Sequence, residues 1–403
     1  MKADYDIILD LATNSSPTIT EQLITVIENQ LKGTYKHCVT VLSTDKIDSV
    51  FPGSRSIVSN EPIDLLYKAK FLLDSANVTD FLIVTTLIMK KYWENLCLHM
   101  FSAVHNWSVL GVDVTGEVVS FDLSRELLVE THFKEYLKKL GNIEEVKILR
   151  SHVIPEKMFN AGFHERHGGV TQLPPLASMN MLYTIRKPDP ILVIKENRRR
   201  LAVKAGFDPD SMHFAKVEHG ANIWVIGKEP PARFDGLATN IPGVTLAAPG
   251  ADCSMILLAD VKTGACGAVH SGWRGTTLGA VRSLLKTMVD EFGTDPKDVR
   301  AAIGPTIEAS CFTLLAADAN PITDLDPSLV YPMKNKSNVV HVDLVGANVI
   351  MLEKDGVPHN NIDTSHAVCT VCNKQFYSYQ RDSVPFGNQI GFISCRKQPS
   401  ENI

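Results

Sequence analysis

The sequence predicts an α/β protein of two domains, and three observations carry this prediction. Short apolar runs typical of buried strands alternate with amphipathic helical segments, which is the pattern of sheets covered by helices. A chain of 403 residues exceeds the usual size of a single hydrophobic core. After residues 151–157 the sequence becomes polar and turn-forming. We therefore predict a smaller N-terminal α/β domain at residues 1–150 and a second domain at residues 151–403.

The N-terminal domain is predicted to form a small sheet covered by helices. In order, its expected elements are a helix capped by Thr20 and ended by Gly33, strands over residues 37–42, 81–89 and 107–114, a helix over 131–140 and a strand over 146–149. We find no group of residues here that indicates catalysis, so the role of this domain is left unassigned.

Composition restricts the class of protein. Hydrophobic residues make up 44% and charged residues 21%, which is ordinary for a globular protein, and a net charge of −5 gives no basic surface for nucleic acid. The apolar runs are too short to span a bilayer, and the aspartates near the N-terminus do not fit a secretory signal. We expect a cytoplasmic protein whose 8 cysteines are reduced thiols.

One stretch, residues 250–275, concentrates residues able to do chemistry. Cys253 stands just before an apolar run, and after a glycine-containing turn a second apolar run ends on His270. Two short strands joined by a tight turn predict a β-hairpin, in which Cys253 and His270 lie side by side. A neighbouring thiol and imidazole suit either nucleophilic catalysis or a soft metal site.

The residues after His270 predict an anion site beside this pair. A glycine-punctuated turn carries Arg274, and apolar positions spaced by three and four from Leu278 to Phe292 indicate a helix that Gly293 ends. Free backbone N–H groups around Gly275 and the Arg274 guanidinium would bind an anion such as phosphate.

Three other features are given structural interpretations. His164 and His167 precede a Gly-Gly pair and are expected in a loop rather than as metal ligands, and the basic run at residues 198–200 is expected on a solvated helix face. Cys369-x-x-Cys372 has half of a zinc-binding pattern, but there is no second such pair and Cys395 does not complete four ligands. We therefore predict no zinc there.

Ordered motifs over roughly residues 160–395 resemble the YfiH family, also called the multicopper polyphenol oxidoreductase or laccase-domain family. They are Arg166-His-Gly-Gly-Val170, Ser178-Met-Asn180, Asn197-Arg198, His219-Gly, Asp235-Gly, Ala-Asp-Cys253, His270-Ser-Gly-Trp-Arg-Gly275, Ile303-Gly-Pro305 with Cys311, Asp343-Leu, and Cys369-Thr with Phe376-Tyr-Ser-Tyr-Gln-Arg-Asp382. With its N-terminal extension the chain is similar to the vertebrate laccase-domain-containing members. It departs from the family pattern at Glu218 and Met255, among other positions.

The resemblance implies a fold, a site and an activity. The fold is a layered α/β sandwich with mixed sheets, and the site binds one zinc ion through His219, Cys253 and His270. The implied reactions are phosphate-dependent cleavage of inosine, guanosine, adenosine and S-methyl-5'-thioadenosine to base and sugar 1-phosphate, and deamination of adenosine to inosine. The resemblance also implies a role in the purine metabolism of macrophages and a protein partner, fatty acid synthase.

Roles for the remaining site residues follow from this chemistry. Asp235 is expected either to shuttle protons during deamination or to be only a turn residue before Gly236. Arg274 is expected either to bind phosphate or to buttress the turn by bonding carbonyl groups. Arg198 is assigned to phosphate and Asn180, from its motif, to substrate binding.

Two further alternatives stay open and one is disfavoured. Cys253 and His270 alone would suit a thiol hydrolase, and a non-catalytic scaffold would use the N-terminal domain to recruit a partner. A copper-dependent phenol oxidase is not favoured, because the 13 histidines include no His-x-His pair.

Overall fold

The computed structural model divides the chain into two compact units. The first comprises residues 1–141 with 170–173 and 183–196, and the second comprises the rest of the chain. The structure describes residues 5–13, 16–30, 35–47, 50–115, 128–141, 144–334 and 336–396.

The first unit contains one parallel sheet with helices on both faces. Its elements are β1 (Tyr5–Asp10), α1 (Pro17–Gln30), β2 (Tyr35–Ser43), β3 (Arg55–Val58), α2 (Pro62–Ser75), β4 (Asp80–Thr86), α3 (Lys90–Met100), β5 (Asn106–Val112) and α4 (Val129–Lys139). The strands lie in the order β3-β2-β1-β4-β5 and every pairing is parallel. This is the doubly wound arrangement, in which the central strands β1 and β4 are buried on both faces, whereas the edge strands β3 and β5 are partly exposed.

The central strand shows how alternation builds the core of this unit. Ile7 and Leu9 point to one face and pack with the apolar side of α1, whereas Ile8 points to the other face and packs with α2, α3 and α4. Because side chains alternate along a strand, a continuous apolar run feeds both cores at once.

Two details of this unit differ from the sequence prediction. The helix predicted to start at Thr20 begins at Pro17, because proline is favoured at the first helical position, while its predicted end at Gly33 lies outside the described residues. The strand predicted over residues 81–89 ends at Thr86, and Leu87 starts a short 3-10 turn in which it is 56% exposed.

The second unit is built mainly from β-strands. Its strands are β6 (Ile148–Leu149), β7 (Phe159–His164), β8 (Met212–Phe214), β9 (Ile223–Val225), β10 (Gly236–Thr239), β11 (Thr245–Gly250), β12 (Ser254–Asp260), β13 (Cys266–Ser271), β14 (Val299–Ile303), β15 (Thr313–Leu315), β16 (Val330–Met333), β17 (Lys336–Val342), β18 (Ile362–Asp363) and β19 (Gln389–Cys395). Its helices are α6 (Trp273–Thr277), α7 (Ala280–Phe292), α8 (Asn320–Leu325), α9 (Leu344–Lys354) and α10 (Tyr379–Asp382). Helix α5 (Ile191–Ala205) precedes β8 and belongs to this unit from Asn197 onward.

Two sheets stacked face to face form the layers of this unit. A six-stranded mixed sheet, β18-β14-β12-β13-β10-β9, packs on a five-stranded sheet, β6-β7-β19-β11-β8, through an apolar layer that includes Phe163, Leu257 and Ile393. Helices α7 and α9 cover the outer face of the larger sheet, and the last turns of α5 cover the smaller one. The predicted α/β sandwich with mixed sheets is confirmed.

The start of one predicted helix was wrong. The helix expected from Leu278 is divided by Gly279, whose φ of 74° lies in the left-handed region, so Leu278 falls in the break and is 64% exposed. Helix α9 begins at Leu344, because Asp343 accepts a hydrogen bond from the Gly346 N–H at 2.9 Å and caps it. No helix of the described residues is long and apolar enough to cross a membrane.

Candidate metal centre

The hairpin predicted around Cys253 and His270 is present and sets the geometry of the centre. Strands β12 and β13 are antiparallel, with Met255 opposite His270 and Ser254 opposite Ser271. Cys253 stands immediately before β12, so its thiol lies beside the end of β13 that carries His270. The starts of β9, β10 and β12 meet at this same end of the sheet, because β10 and β12 both run antiparallel to β13.

His219 reaches the pair from the loop between β8 and β9. Its ring lies 4.9 Å from the ring of His270, centre to centre, at an angle of 82°. One ligand atom from each of His219, Cys253 and His270 lies within 4.8 Å of the other two, a spacing that could hold a metal ion. His270 is buried, Cys253 is partly buried and His219 is exposed, so the centre is open to solvent on one side.

The backbone of His219 is strained, and Asp235 holds it in place. The φ of His219 is 66°, in the region that side chains other than glycine rarely adopt. The Asp235 carboxylate accepts hydrogen bonds from the backbone N–H groups of His219 at 2.9 Å, Gly220 at 2.8 Å and Glu218 at 3.3 Å. Three donors on one carboxylate fix the loop in a shape that directs the imidazole toward the thiol.

Asp235 also orients the other imidazole. Its Oδ1 lies 3.1 Å from Nδ1 of His270, which leaves Nε2 of that ring for a metal. Burial opposes ionisation of this carboxyl, but hydrogen bonds from His270 and from the N–H groups of the loop hold its pKa below the usual range. A fully buried carboxylate with four donors is a poor proton shuttle, so of the two roles expected for Asp235 from the sequence its position favours the structural one.

The thiol and the buried imidazole favour each other's charged forms. Burial alone would raise the pKa of Cys253, but the charge and hydrogen bonding of His270 and His219 lower it to about 6. Burial would lower the pKa of His270, whereas Cys253 and Asp235 raise it. The centre is therefore built for a thiolate, which is the form that binds soft metals and the form that attacks electrophiles.

Gly272 is a residue of the centre that the sequence analysis did not single out. A methyl group at this position would lie 2.8 Å from Sγ of Cys253, 3.3 Å from Cδ2 of His219 and 3.5 Å from Cε1 of His270. The absence of a side chain therefore gives the three candidate ligands room to converge. The signal in the sequence that could have identified Gly272 was its position between His270 and the residues of helix α6.

Asp252 was also missed, although it precedes the thiol. Its φ of 93° is strained for a residue other than glycine, and its carboxylate accepts hydrogen bonds from Thr370 Oγ1 at 2.6 Å and from the Gln380 N–H at 2.7 Å. Its carbonyl accepts from Ile307 N at 2.9 Å and from Thr306 Oγ1 at 2.8 Å. Two segments distant in sequence thus clamp the residue that positions Cys253.

The three residues assigned to phosphate and substrate lie in different environments. Arg274 is exposed, stacks on Trp273 at 4.2 Å and has no side-chain hydrogen bond within the described residues. Arg198 donates to the Met181 carbonyl at 2.8 Å and 3.0 Å and lies 3.8 Å from the ring centre of Phe214.

Asn180 is fully buried, and its side-chain oxygen accepts a hydrogen bond from the Asn388 N–H at 3.1 Å. The prediction that the basic run at residues 198–200 lies on a solvated helix face is wrong, since Arg200 is buried and Arg198 is partly buried. Helix α5 packs this face on the smaller sheet.

The helix end that was predicted to offer free backbone N–H groups after His270 belongs to a shorter helix than expected. Helix α6 has 5 residues, and the Thr276 N–H already donates to the Gly272 carbonyl at 2.7 Å.

The pair His164 and His167 does not form a ligand set. His164 is buried, accepts from the Ile390 N–H at 3.1 Å and has a pKa lowered to about 4 by burial, and His167 pairs with Glu144.

Paired sheets that present two imidazoles and one thiol at a sheet end define an α/β sandwich with a three-ligand centre at that end. The chain belongs to the multi-copper polyphenol oxidoreductase laccase family, whose model matches residues 160–396. This confirms the family inferred from the motifs, and the centre could hold one metal ion, in line with a metal-binding family.

Curated relatives and solved structures agree with this assignment. The chain is 33% identical over 346 residues to the human purine nucleoside phosphorylase LACC1, covering 82% of this chain and 80% of that protein. It is 37% identical over 292 residues to the mouse protein of the same name, covering 71% of this chain and 66% of that protein. The crystal structure of YlmD from Geobacillus stearothermophilus is 29% identical, with a TM-score of 0.57, and the match covers 64% of this chain and 98% of that one.

Proposed function

We propose that this protein is a purine nucleoside phosphorylase that also deaminates adenosine. The observation that carries the proposal is the convergence of His219, Cys253 and His270 at a solvent-open point, with the exposed guanidinium of Arg274 four residues after His270. The human, mouse and bacterial relatives are named purine nucleoside phosphorylases, which supports the proposal. The proposed substrates are inosine, guanosine, adenosine and S-methyl-5'-thioadenosine, with inorganic phosphate as co-substrate.

Zinc is the metal that we propose for the centre. Two imidazoles and one thiolate form a donor set that suits it, and Asp235 supplies the carboxylate that typically orients a ligating histidine. A zinc ion held by three protein ligands would leave a fourth position open and supply Lewis-acid activation. Copper is less favoured, because a cluster of several copper ions needs more donors than the three that this centre supplies.

In phosphorolysis, a phosphate oxygen attacks C1′ of the sugar while the bond from C1′ to the purine nitrogen breaks, giving base and sugar 1-phosphate. Arg274 is the side chain that we propose to hold the phosphate, because its guanidinium is exposed and can bind two oxygens at once. Arg198 and Asn180 already have partners in the fold, so we propose that they position the segments around the site rather than bind phosphate.

In deamination, water adds to C6 of the purine and ammonia leaves, so a proton must move from the water to the leaving nitrogen. We propose that Glu218 moves this proton in place of Asp235. Glu218 is exposed, directly precedes His219 and has its Oε1 3.0 Å from Nδ2 of Asn222. An exposed carboxylate next to a candidate ligand can accept and return a proton, whereas the saturated Asp235 cannot.

The function is tested with the purified full chain. We expect release of hypoxanthine from inosine only when phosphate is present, and conversion of adenosine to inosine without it. Cys253→Ala and His270→Ala should abolish both reactions and each lower the zinc content by one ion per chain. Cys395→Ser, a partly buried cysteine on β19 outside the centre, is the matched control and should keep full activity. Full turnover by Cys253→Ala would show that the centre is not the catalytic site.

A thiol hydrolase is the second candidate, and the lowered pKa of the Cys253 thiol favours it. Such an enzyme would keep its activity after a chelator removes the metal, and alkylation of Cys253 would inactivate it. The zinc-dependent phosphorylase would lose activity with the chelator and regain it with zinc. A scaffold role predicts instead that Cys253→Ala leaves the cellular function unchanged.

We further propose a cytoplasmic location and a protein partner for the N-terminal unit, with fatty acid synthase as the partner that the family resemblance implies. The proposed partner is tested by measuring how much fatty acid synthase co-precipitates from cell extracts with the full chain and with a chain that lacks the first unit. Recovery of fatty acid synthase with both chains would contradict a role of the N-terminal unit in the contact.

A further inference from the structure

Three cysteines outside the candidate centre meet at one point of the second unit. Cys311 lies in the loop after β14, whereas Cys369 and Cys372 lie in the segment between β18 and α10. Their sulfur atoms all lie within 4.8 Å of one another, and those of Cys311 and Cys372 are 3.5 Å apart. None of the three is needed by the His219, Cys253 and His270 centre, so the cluster requires a separate explanation.

The turn formed by Cys369-x-x-Cys372 has the shape of a metal-binding knuckle. The Asn373 N–H donates to the Cys369 carbonyl at 2.9 Å, so the backbone closes on itself around the two cysteines. A closed turn holds both thiols on one side of the chain. The spacing of two residues between the cysteines is also that of zinc-binding cysteine pairs.

The two segments that carry the cysteines are fixed to each other by their backbones. The Thr306 N–H donates to the Val368 carbonyl at 3.1 Å, and the Thr370 N–H donates back to the Thr306 carbonyl at 3.1 Å. This bridge places the loop that carries Cys311 beside the knuckle. The three thiols are therefore brought together by the fold, at the point where two distant segments are already paired.

We propose that Cys311, Cys369 and Cys372 form a second metal site, which binds one structural zinc ion. Two sulfurs on a tetrahedral zinc ion at ~2.3 Å lie about 3.8 Å apart, close to the 3.5 Å between Cys311 and Cys372. Cys369 is buried and Cys372 is exposed, so water can complete the coordination from the solvent side. Three thiolates form a soft donor set that selects zinc over magnesium or calcium.

The position of the cluster indicates what the ion does. The loop with Cys311 also carries Thr306 and Ile307, and the residue after Cys369 is Thr370; all of these hydrogen-bond to Asp252. An ion bound by the three cysteines ties together the two segments that clamp the strained residue before Cys253. It is thus a positioning site for the first centre and does not depend on the reaction proposed for that centre.

Zinc content of the full chain, purified in the presence of a reductant, tests this site. We expect two zinc ions per chain in the unaltered protein and one in Cys311→Ser/Cys372→Ser. Cys253→Ala should also retain one, since it removes the other ion. The control Cys395→Ser should retain both. Cys372→Ser alone, at an exposed position, serves as a mild variant in case the double variant does not fold.

Cadmium substitution identifies the ligands without any measurement of activity. Thiolate-to-cadmium absorption in the ultraviolet grows with the number of thiolates, of which the second site supplies three and the first site one. The double variant should therefore lose about three quarters of the band, and Cys253→Ala should lose about one quarter.

Equal zinc content and equal cadmium absorption in the unaltered chain and the double variant would overturn the second site. If Cys253→Ala loses all of its zinc while the double variant loses none, only the first centre binds zinc and the second site is overturned. A disulfide between Cys311 and Cys372 that persists in the reduced, zinc-supplemented protein would likewise contradict the proposal.

Discussion

One oxygen of Asp235 positions both imidazoles of the candidate centre: Oδ1 lies 3.1 Å from Nδ1 of His270 and 2.9 Å from the backbone nitrogen of His219. A single buried carboxylate therefore fixes the ring of one candidate ligand and the strained backbone of the other. The hairpin of β12 and β13 brings Cys253 and His270 together, and Asp235 orients the ring of His270 and the loop of His219.

We first predict that Asp235→Asn weakens zinc binding at the centre by about 10–100-fold, because a carboxylate that hydrogen-bonds to a ligating histidine contributes that much to metal affinity. The amide cannot accept a hydrogen bond on every side, so the loop at His219 loosens as well. Competition with a coloured chelator measures the affinity.

Asp260→Asn is the matched control for this substitution. Asp260 is also fully buried and accepts hydrogen bonds from the N–H groups of Lys262 and Thr263 in a turn, but it lies at the other end of β12. An equal loss of zinc affinity in both variants would mean that Asp235 acts only on overall stability.

Gly272→Ala should abolish zinc binding at the His219, Cys253 and His270 centre while leaving the fold intact. A methyl group 2.8 Å from the Cys253 sulfur is closer than side-chain carbons approach other atoms, so the thiol must move away from the imidazoles. Zinc analysis and the melting temperature separate the two effects. Gly141→Ala, where a methyl group meets nothing within 4 Å, should change neither; unchanged zinc content in Gly272→Ala would contradict the close packing of the three ligands.

Arg274→Ala should raise the KM for phosphate about tenfold or more, because hydrogen bonds to charged groups contribute about 1.5–3 kcal/mol. Zinc content should stay unchanged, since the guanidinium is exposed and does not hold a ligand. Arg274→Lys should restore part of the affinity. Arg282→Ala, on the neighbouring helix and paired with Asp355, is the control. A raised KM for the nucleoside with an unaltered KM for phosphate would assign Arg274 to the base or sugar instead.

His164 should make the protein less stable in mild acid. Burial lowers the pKa of this histidine from 6.5 to about 4, so the unfolded chain takes up its proton more readily than the folded chain. Above pH 6.5 this group does not reduce the free energy of unfolding. As the pH falls toward 4, the free energy of unfolding decreases by up to about 3 kcal/mol because of this group.

Melting temperatures of the unaltered protein and His164→Gln between pH 7 and pH 4.5 measure this effect. The variant loses a hydrogen bond at every pH but does not carry the cost of protonation, so the gap between the two melting temperatures should narrow as the pH falls. A constant gap for His164→Gln would mean that this residue is not buried as a neutral imidazole.

Much of the local structure was predictable from the sequence, because local periodicity specifies it. The hairpin that joins Cys253 to His270 follows from two apolar runs and a glycine turn, and Gly293 ends helix α7 in the left-handed conformation, as predicted. The periodicity of apolar residues does not predict a helix break that is caused by the backbone angle of a single residue. Leu278 fits the helical spacing but is exposed, because Gly279 interrupts the helix.

The sequence by itself determined the strands, the pairing of a thiol with an imidazole and, through family motifs, His219 as a third candidate ligand. Only the tertiary structure decided that Asp235 is buried behind both imidazoles, that Arg198 packs on Phe214, and that Cys311 joins Cys369 and Cys372. The reason is physical. Helices and strands repeat with a period that a sequence displays, whereas loops that meet across a fold are brought together by packing and by hydrogen bonds between distant segments, which leave no period to read.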